Sequence, residues 1–132
     1  VDIALQALQG LSAVHGHRVI HRDLKPDNIY LLAGDTLHVK LLDFGVSKIR
    51  DVGEATEALT KTGATMGTPQ YMSPEQARGV RSVDHRVDLY ALGVILYQAL
   101  GGRLPFAGSN YHALLQSILA AEPPRLAAIS PN

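Results

Sequence analysis

The sequence contains no cysteine, and aromatic residues make up only 5% of it. Without cysteine the chain can form neither disulfides nor thiolate zinc sites, and a reducing compartment is compatible, so we expect a cytoplasmic location. The chain also lacks net charge, because 12 Lys and Arg residues balance 12 Asp and Glu residues. This balance gives no indication of a nucleic-acid partner.

Long hydrophobic runs are lacking as well. Residues 89–100 form an apolar stretch, but it is shorter than the roughly 20 residues of a membrane span. It therefore predicts a buried core helix, apolar around its circumference. The chain opens at Val1 within a helical pattern and without a signal peptide, so we expect an internal segment of a longer protein, whose other parts could include a membrane anchor.

Hydrophobic spacing predicts several helices. They are expected over residues 1–15, about 86–100 and 110–121, and Pro74 at a helix start indicates one helical turn over residues 74–78. In the first helix one face is predicted to be core, with Gln6 among the residues that face away. The apolar residues of that face are Ile3, Ala7, Leu8, Leu11 and Val14. The tail from residue 123 shows no strong pattern.

Two short β-type runs, residues 29–32 and 37–42, flank a turn-like tetrapeptide and predict a hairpin. The hairpin would bring Asn28, just before one strand, beside Asp43, just after the other. Oxygen ligands of this kind suit Mg²⁺. Asp23, upstream on the same loop, could face a substrate hydroxyl, and Lys25 adds positive charge where phosphate charge would develop. Together they could support phosphoryl transfer, which depends on positioning and charge neutralisation.

The motifs around these residues resemble those of protein kinases. Residues 21–28 read HRDLKPDN, like the catalytic loop, and residues 43–45 read DFG, like the metal-binding motif. Residues 67–75 resemble the end of an activation segment, and residues 88–93 the start of the central buried helix. Lys25 with Pro26 is similar to serine/threonine kinases, and residues 71–79 look most like bacterial members of the eukaryotic-like (Hanks-type) family.

The resemblance implies a protein-kinase-like α+β fold and a role for each matching residue. Residues 1–132 would be a partial kinase domain, with its catalytic loop at 21–28, its activation segment at 43–75 and its central helix at about 86–100. Asp23 would accept the hydroxyl proton, Lys25 would steady the γ-phosphate of ATP, and Asn28 and Asp43 would bind Mg²⁺. Thr68 would hydrogen-bond between the catalytic loop and the substrate-binding segment.

The resemblance also implies regulatory and structural residues. Arg22 would pair with a phosphorylated activation loop. Thr60 and Thr62 match autophosphorylated positions, with Thr56 and Thr65 as weaker candidates, so self-association for autophosphorylation is an expected interaction besides protein substrates with Ser or Thr. His21 belongs to the catalytic-loop motif, and Asp88 would tie the central helix to the catalytic-loop backbone. Glu75 would normally pair with a later arginine.

Several family features have no match in this sequence. No G-x-G-x-x-G occurs, no lysine precedes Lys25, and no glutamate precedes Glu54, so we expect the ATP-binding N-lobe to be absent. No arginine after Glu75 stands in matching context, and a buried carboxylate without its partner would cost about 3–5 kcal/mol. We therefore expect the isolated chain to be poorly stable and inactive.

Other interpretations fit parts of the sequence. Asp23, Asn28 and Asp43 could be ordinary turn and cap residues, and the loop threonines could simply be solvated. His15, His17 and His21 could be read as a metal cluster, although they lack clear ligand periodicity. A serine hydrolase lacks its G-x-S-x-G elbow here. A pseudokinase or scaffold, or a truncated product without function, are further alternatives; the presence of all three reacting residues favours the enzyme.

Overall fold

The computed structural model describes residues 1–34, 36–44 and 69–129. Within these ranges the helices are α1 (Asp2–Gly16), α2 (Pro74–Ala77), α3 (Arg86–Gly101), α4 (Tyr111–Ala120) and α5 (Leu126–Ile129). Strands β1 (Ile29–Leu32) and β2 (His38–Leu41) pair in an antiparallel sheet, and 3₁₀ turns form at Pro26–Asn28 and Pro69–Tyr71. The predicted mostly helical α+β fold with one small hairpin is confirmed.

Helix α1 packs against β2 and α3. Ala7 and Leu11 are fully buried, as predicted, but Ile3 and Leu8 each remain 39% exposed, so the buried face is narrower than the apolar pattern. The prediction that Gln6 faces away was wrong. Its Oε1 accepts a hydrogen bond from the Val39 N–H at 2.9 Å, and its Nε2 donates to the Leu37 carbonyl at 2.9 Å, so this side chain ties the helix to the exposed edge of β2.

The hairpin pairs Ile29 with Leu41 and Leu32 with His38. Pairing continues one step further, because the Leu42 N–H donates to the Asn28 carbonyl at 2.9 Å. Strand β2 is one residue shorter at each end than predicted. Asp35, in the predicted turn, lies outside the described residues.

Helix α3 begins where Asp84 accepts hydrogen bonds from both the backbone N–H and the guanidinium of Arg86. These bonds lower the pKa of Asp84 to about 2. Gly102 caps the C-terminal end of the helix, and its φ of 68° is a left-handed conformation that glycine adopts without strain. Val87, Asp88, Ala91, Leu92 and Val94 are buried, as a core helix predicts, but Leu89 and Leu100 are 42% and 65% exposed, so part of the α3 surface faces solvent. No helix in the described ranges is long and apolar enough to cross a membrane.

The buried residues form two clusters. One joins α1, the loop before the hairpin and α3, and contains Ala7, Leu11, Leu24, Tyr71, Ala91, Leu92 and Val94. The other joins α4 to its neighbours through Phe106, Leu114 and Ile118. The short helix α5, where no pattern was predicted, contacts the end of α3; a four-residue helix is too short to show a hydrophobic period.

Candidate catalytic loop

The loop between α1 and β1 contains strained backbone beside the predicted reactive residues. Arg22 has a φ of 63° and Asp43, just beyond β2, has a φ of 53°. Residues with a side chain rarely adopt such positive values, and tertiary contacts must hold them there. The contacts that do so define the site.

Asp88 supplies the first of these contacts. It is only 1% exposed. Its Oδ2 accepts from the His21 N–H and its Oδ1 from the Arg22 N–H, both at 2.8 Å. His15 Nε2 lies 2.7 Å from Oδ2 as a further partner. Burial of this carboxylate is tolerable because its oxygens are so well hydrogen-bonded.

His21 supplies the second contact, between the loop and the hairpin end. Its Nε2 donates to the Leu42 carbonyl at 2.8 Å, because a carbonyl oxygen can only accept. Its Nδ1 is then left to accept a longer bond, at 3.4 Å, from the Asp23 N–H. The ring also lies against Phe44, with 4.9 Å between the ring centroids. His21 therefore links the residues before Asp23 to those around Asp43.

Asn28 and Asp43 lie at the same end of the hairpin, as the strand pairing predicts. Asn28 is buried, and its Nδ2 donates to the Asp23 carbonyl at 2.8 Å. Since Nδ2 makes this bond, Oδ1 is the atom of the amide that can bind a cation. No residue in the described ranges donates a hydrogen bond to Oδ1. Asp43 is exposed. An amide oxygen to which no described residue donates and an exposed carboxylate fit the needs of Mg²⁺, which takes one or two protein oxygens.

Asp23 and Lys25 follow Arg22 on the same loop, and both are half-buried. Lys25 has an extended backbone, with φ of −153° and ψ of 166°, and its carbonyl accepts from the Asn28 N–H at 3.0 Å. The loop thus brings Asp23, Lys25 and Asn28 together. Of the other predicted residues, Gly45, Thr60, Thr62 and Thr68 lie outside the described residues, as do the weaker candidates Thr56 and Thr65.

The exposure of Glu75 differs from the expectation. It was expected to be a buried carboxylate without an arginine, but it is exposed on the first turn of α2. The pKa of Glu75 is lowered, because its own backbone N–H and the Ser73 hydroxyl bond to the carboxylate, with weaker attraction from Arg86 and Arg78. The cost of burying an unpaired charge therefore does not apply.

Two residues of the site were missed from the sequence. His15 was considered as a possible metal ligand, but it contacts Asp88. Gln76 donates from Nε2 to the Arg22 carbonyl at 2.8 Å. The spacing Ser73-x-x-Gln76 is a capping-box signature that could have predicted the turn of α2. Nothing local predicts the bond to Arg22, which is 54 residues away.

Two of the three histidines that could be read as a metal cluster have other partners. His15 contacts Asp88 and His21 contacts the Leu42 carbonyl. In the part of the chain that the structure describes, no group of three or more His, Cys, Asp or Glu residues could hold a metal ion.

Comparison with known proteins places this sequence in a family. The sequence model of the protein kinase domain matches residues 1–129. Serine/threonine-protein kinase pkn3 of Myxococcus xanthus is 51% identical over 126 residues, 94% of this chain and 23% of that protein. Serine/threonine-protein kinase Pkn1 of the same organism is 46% identical, over 99% of this chain and 19% of its own length.

Similarity extends to a second bacterial group. Serine/threonine-protein kinase PknB of Mycobacterium tuberculosis is 44% identical over 110 residues, which are 83% of this chain and 17% of that protein. The chain thus spans less than a quarter of the length of these curated relatives. Since the domain model matches nearly the whole sequence, from α1 to the end of α5, the chain belongs to the protein kinase domain family.

Proposed function

We propose that this chain is the catalytic-loop part of a bacterial Hanks-type serine/threonine kinase, which transfers the γ-phosphate of ATP to Ser or Thr hydroxyls of proteins. The observation that carries the proposal is the hydrogen-bonded unit of Asp23 and Asn28, which lies at the hairpin end that Asp43 also occupies. In this reading residues 21–28 are the catalytic loop, residues 43–75 the activation segment and α3 the central helix.

Asp23 has the role of accepting the proton of the substrate hydroxyl. Its main-chain carbonyl is held by Asn28 and its N–H faces His21, so its backbone has little freedom to turn. A carboxylate in fixed orientation suits an acceptor, because the hydroxyl must be aligned with the phosphate that it attacks. Lys25, two residues on, has the role of steadying the γ-phosphate by its charge.

Asn28 Oδ1 and the Asp43 carboxylate are the proposed ligands of Mg²⁺. The family uses ATP and Mg²⁺ in general. When bound, the ion supplies positive charge to the phosphate oxygens. Phe44, against His21, holds the chain next to Asp43 in place, so the pair of ligands rests on packed side chains.

The regulatory roles are proposals of the same kind. Arg22 is proposed to pair with a phosphorylated activation loop, with Thr60 and Thr62 as the phosphorylated residues and Thr68 as a link to the substrate. Autophosphorylation of these threonines would require self-association. A cytoplasmic location of this part of the chain agrees with the use of ATP and the lack of cysteine.

The first prediction concerns Asp23 and uses the full-length protein, meaning the longest natural chain that carries these 132 residues. Asp23→Asn should lower kcat for phosphate transfer from labelled ATP by roughly 10²–10⁴-fold, because an amide cannot accept the hydroxyl proton. Asp27→Asn, which changes an exposed carboxylate on the same loop, is the matched control and should keep normal turnover. Unmodified protein without any turnover would favour the pseudokinase or scaffold reading instead.

The second prediction concerns Asp43. Asp43→Asn should raise the Mg²⁺ concentration for half-maximal turnover on the order of 10–100-fold, because the site loses a charged ligand. A Mg²⁺ titration at saturating ATP measures the effect, with Asp27→Asn again as the control. An unchanged titration midpoint would remove Asp43 from the proposed ligand set.

The third prediction tests the structural role of Asp88. Asp88→Asn should lower the free energy of unfolding by about 1–3 kcal/mol, since one buried N–H of the catalytic loop then faces the side-chain NH₂ group, which cannot accept a hydrogen bond. Urea denaturation measures the change. Asp27→Asn is the control, because it makes the same substitution at an exposed carboxylate of the same loop. Equal stability of the two variants would contradict the role of Asp88.

The fourth prediction concerns residues 1–132 expressed alone. They contain no G-x-G-x-x-G sequence and no lysine before the catalytic loop, features that hold ATP in kinases. We expect negligible phosphate transfer by this chain. Low stability no longer follows from an unpaired buried carboxylate, because Glu75 is exposed. Robust turnover by this chain alone would therefore be enough to refute the expectation.

A further inference from the structure

Gln76 joins two parts of the molecule with one side chain. Its Oε1 accepts a hydrogen bond from the Ser73 N–H at 3.1 Å, which is one half of the capping box of α2. Its Nε2 donates to the Arg22 carbonyl at 2.8 Å. Both polar atoms of the amide are thus used, one within its own helix and one on the catalytic loop.

The bond to Arg22 acts on the peptide unit that carries the N–H of Asp23. Because a peptide bond is planar, an acceptor carbonyl held in place also fixes the orientation of the following N–H. Arg22 is held from the other side too, as its own N–H donates to Asp88 Oδ1 at 2.8 Å. A residue with φ of 63° is thereby held at both ends of its backbone.

The capping box by itself does not require glutamine. Glutamate serves equally well at this position of the box, since only its oxygen accepts from the cap residue. A glutamate at position 76 would instead direct a second carboxylate oxygen toward the Arg22 carbonyl, and two acceptors repel. Only the amide supplies both an acceptor for Ser73 and a donor for Arg22.

We propose that Gln76 is a positioning residue for catalysis. Through its bond to the Arg22 carbonyl, the Gln76 side chain sets the orientation of Asp23. The inference rests on the proposed function of Asp23 as the acceptor of the hydroxyl proton. It adds that the segment around α2 acts on the reaction and not only on the stability of the fold.

Two variants of the full-length protein separate the two bonds of Gln76. Gln76→Glu keeps the acceptor for the Ser73 N–H and removes the donor to Arg22. Ser73→Ala removes the other half of the capping box, in which the Gln76 N–H donates to Ser73 Oγ at 3.3 Å, and leaves the Gln76 side chain in place. Turnover, KM for ATP and the unfolding temperature are measured for both variants, the unmodified protein and Asp23→Asn.

A positioning role predicts that Gln76→Glu lowers kcat roughly 10–100-fold, as expected for a misplaced reacting group. Its KM for ATP and its unfolding temperature should stay near those of the unmodified protein. Ser73→Ala should show the reverse, a lower unfolding temperature with kcat within about 2-fold. Gln76→Glu with unmodified kcat, while Asp23→Asn is inactive, would overturn the inference and leave the proposed function intact.

Two further outcomes are decisive. If the unmodified protein shows no turnover, the proposed function fails, and the inference that rests on it fails too. If Gln76→Glu does not fold, Gln76→Met is compared with Ser73→Ala, because each then lacks one half of the capping box. Equal turnover per folded molecule in these two variants would overturn the positioning role, and turnover at least about 10-fold lower in Gln76→Met would support it.

Discussion

The bonding of Asp88 to two backbone N–H groups of the catalytic loop is the constraint on which the rest of the structure depends. The carboxylate is almost fully buried at the start of α3, and the groups that it holds lie more than sixty residues earlier in the sequence. A buried carboxylate needs such donors, and the loop needs an acceptor for N–H groups that no strand or helix uses. The requirement is mutual, so α3 and the loop are held in one arrangement.

The unusual backbone of Arg22 follows from this arrangement. Asp88 accepts a hydrogen bond from the Arg22 N–H, and Gln76 donates one to the Arg22 carbonyl. The ring of the preceding residue, His21, donates to the Leu42 carbonyl at the end of the hairpin. Helices α2 and α3 and the end of the hairpin thereby bond to His21 and Arg22, the two residues that precede Asp23. The positive φ of Arg22 persists because several independent contacts fix its backbone.

Local patterns were enough to predict much of the fold. The hairpin and the helices α1, α3 and α4 show clear periods or paired strand signals, and their observed bounds differ from the expected ones by one residue or so. Burial was predicted less well. Ile3, Leu8 and Leu100 are apolar but exposed, because a hydrophobic pattern says which face can be buried and not how much of it a neighbour covers. Helix α5 and the exposed position of Glu75 escaped prediction for a related reason, since neither has a local signal.

The sequence by itself determined the family and most of the elements, and it supplied the residues that we propose to react, because short motifs specify turns, strands and the chemistry of individual side chains. It also determined that Asn28 and Asp43 lie at the same end of the hairpin, since the pairing of the two strands brings those ends together. The resemblance also implied that Asp88 holds the catalytic loop, and the structure shows both of its bonds. Only the tertiary structure decided which further side chains support this contact. His15 on α1 contacts Asp88 and Gln76 on α2 contacts the loop itself, and hydrogen bonds between residues so far apart depend on packing that no local pattern encodes.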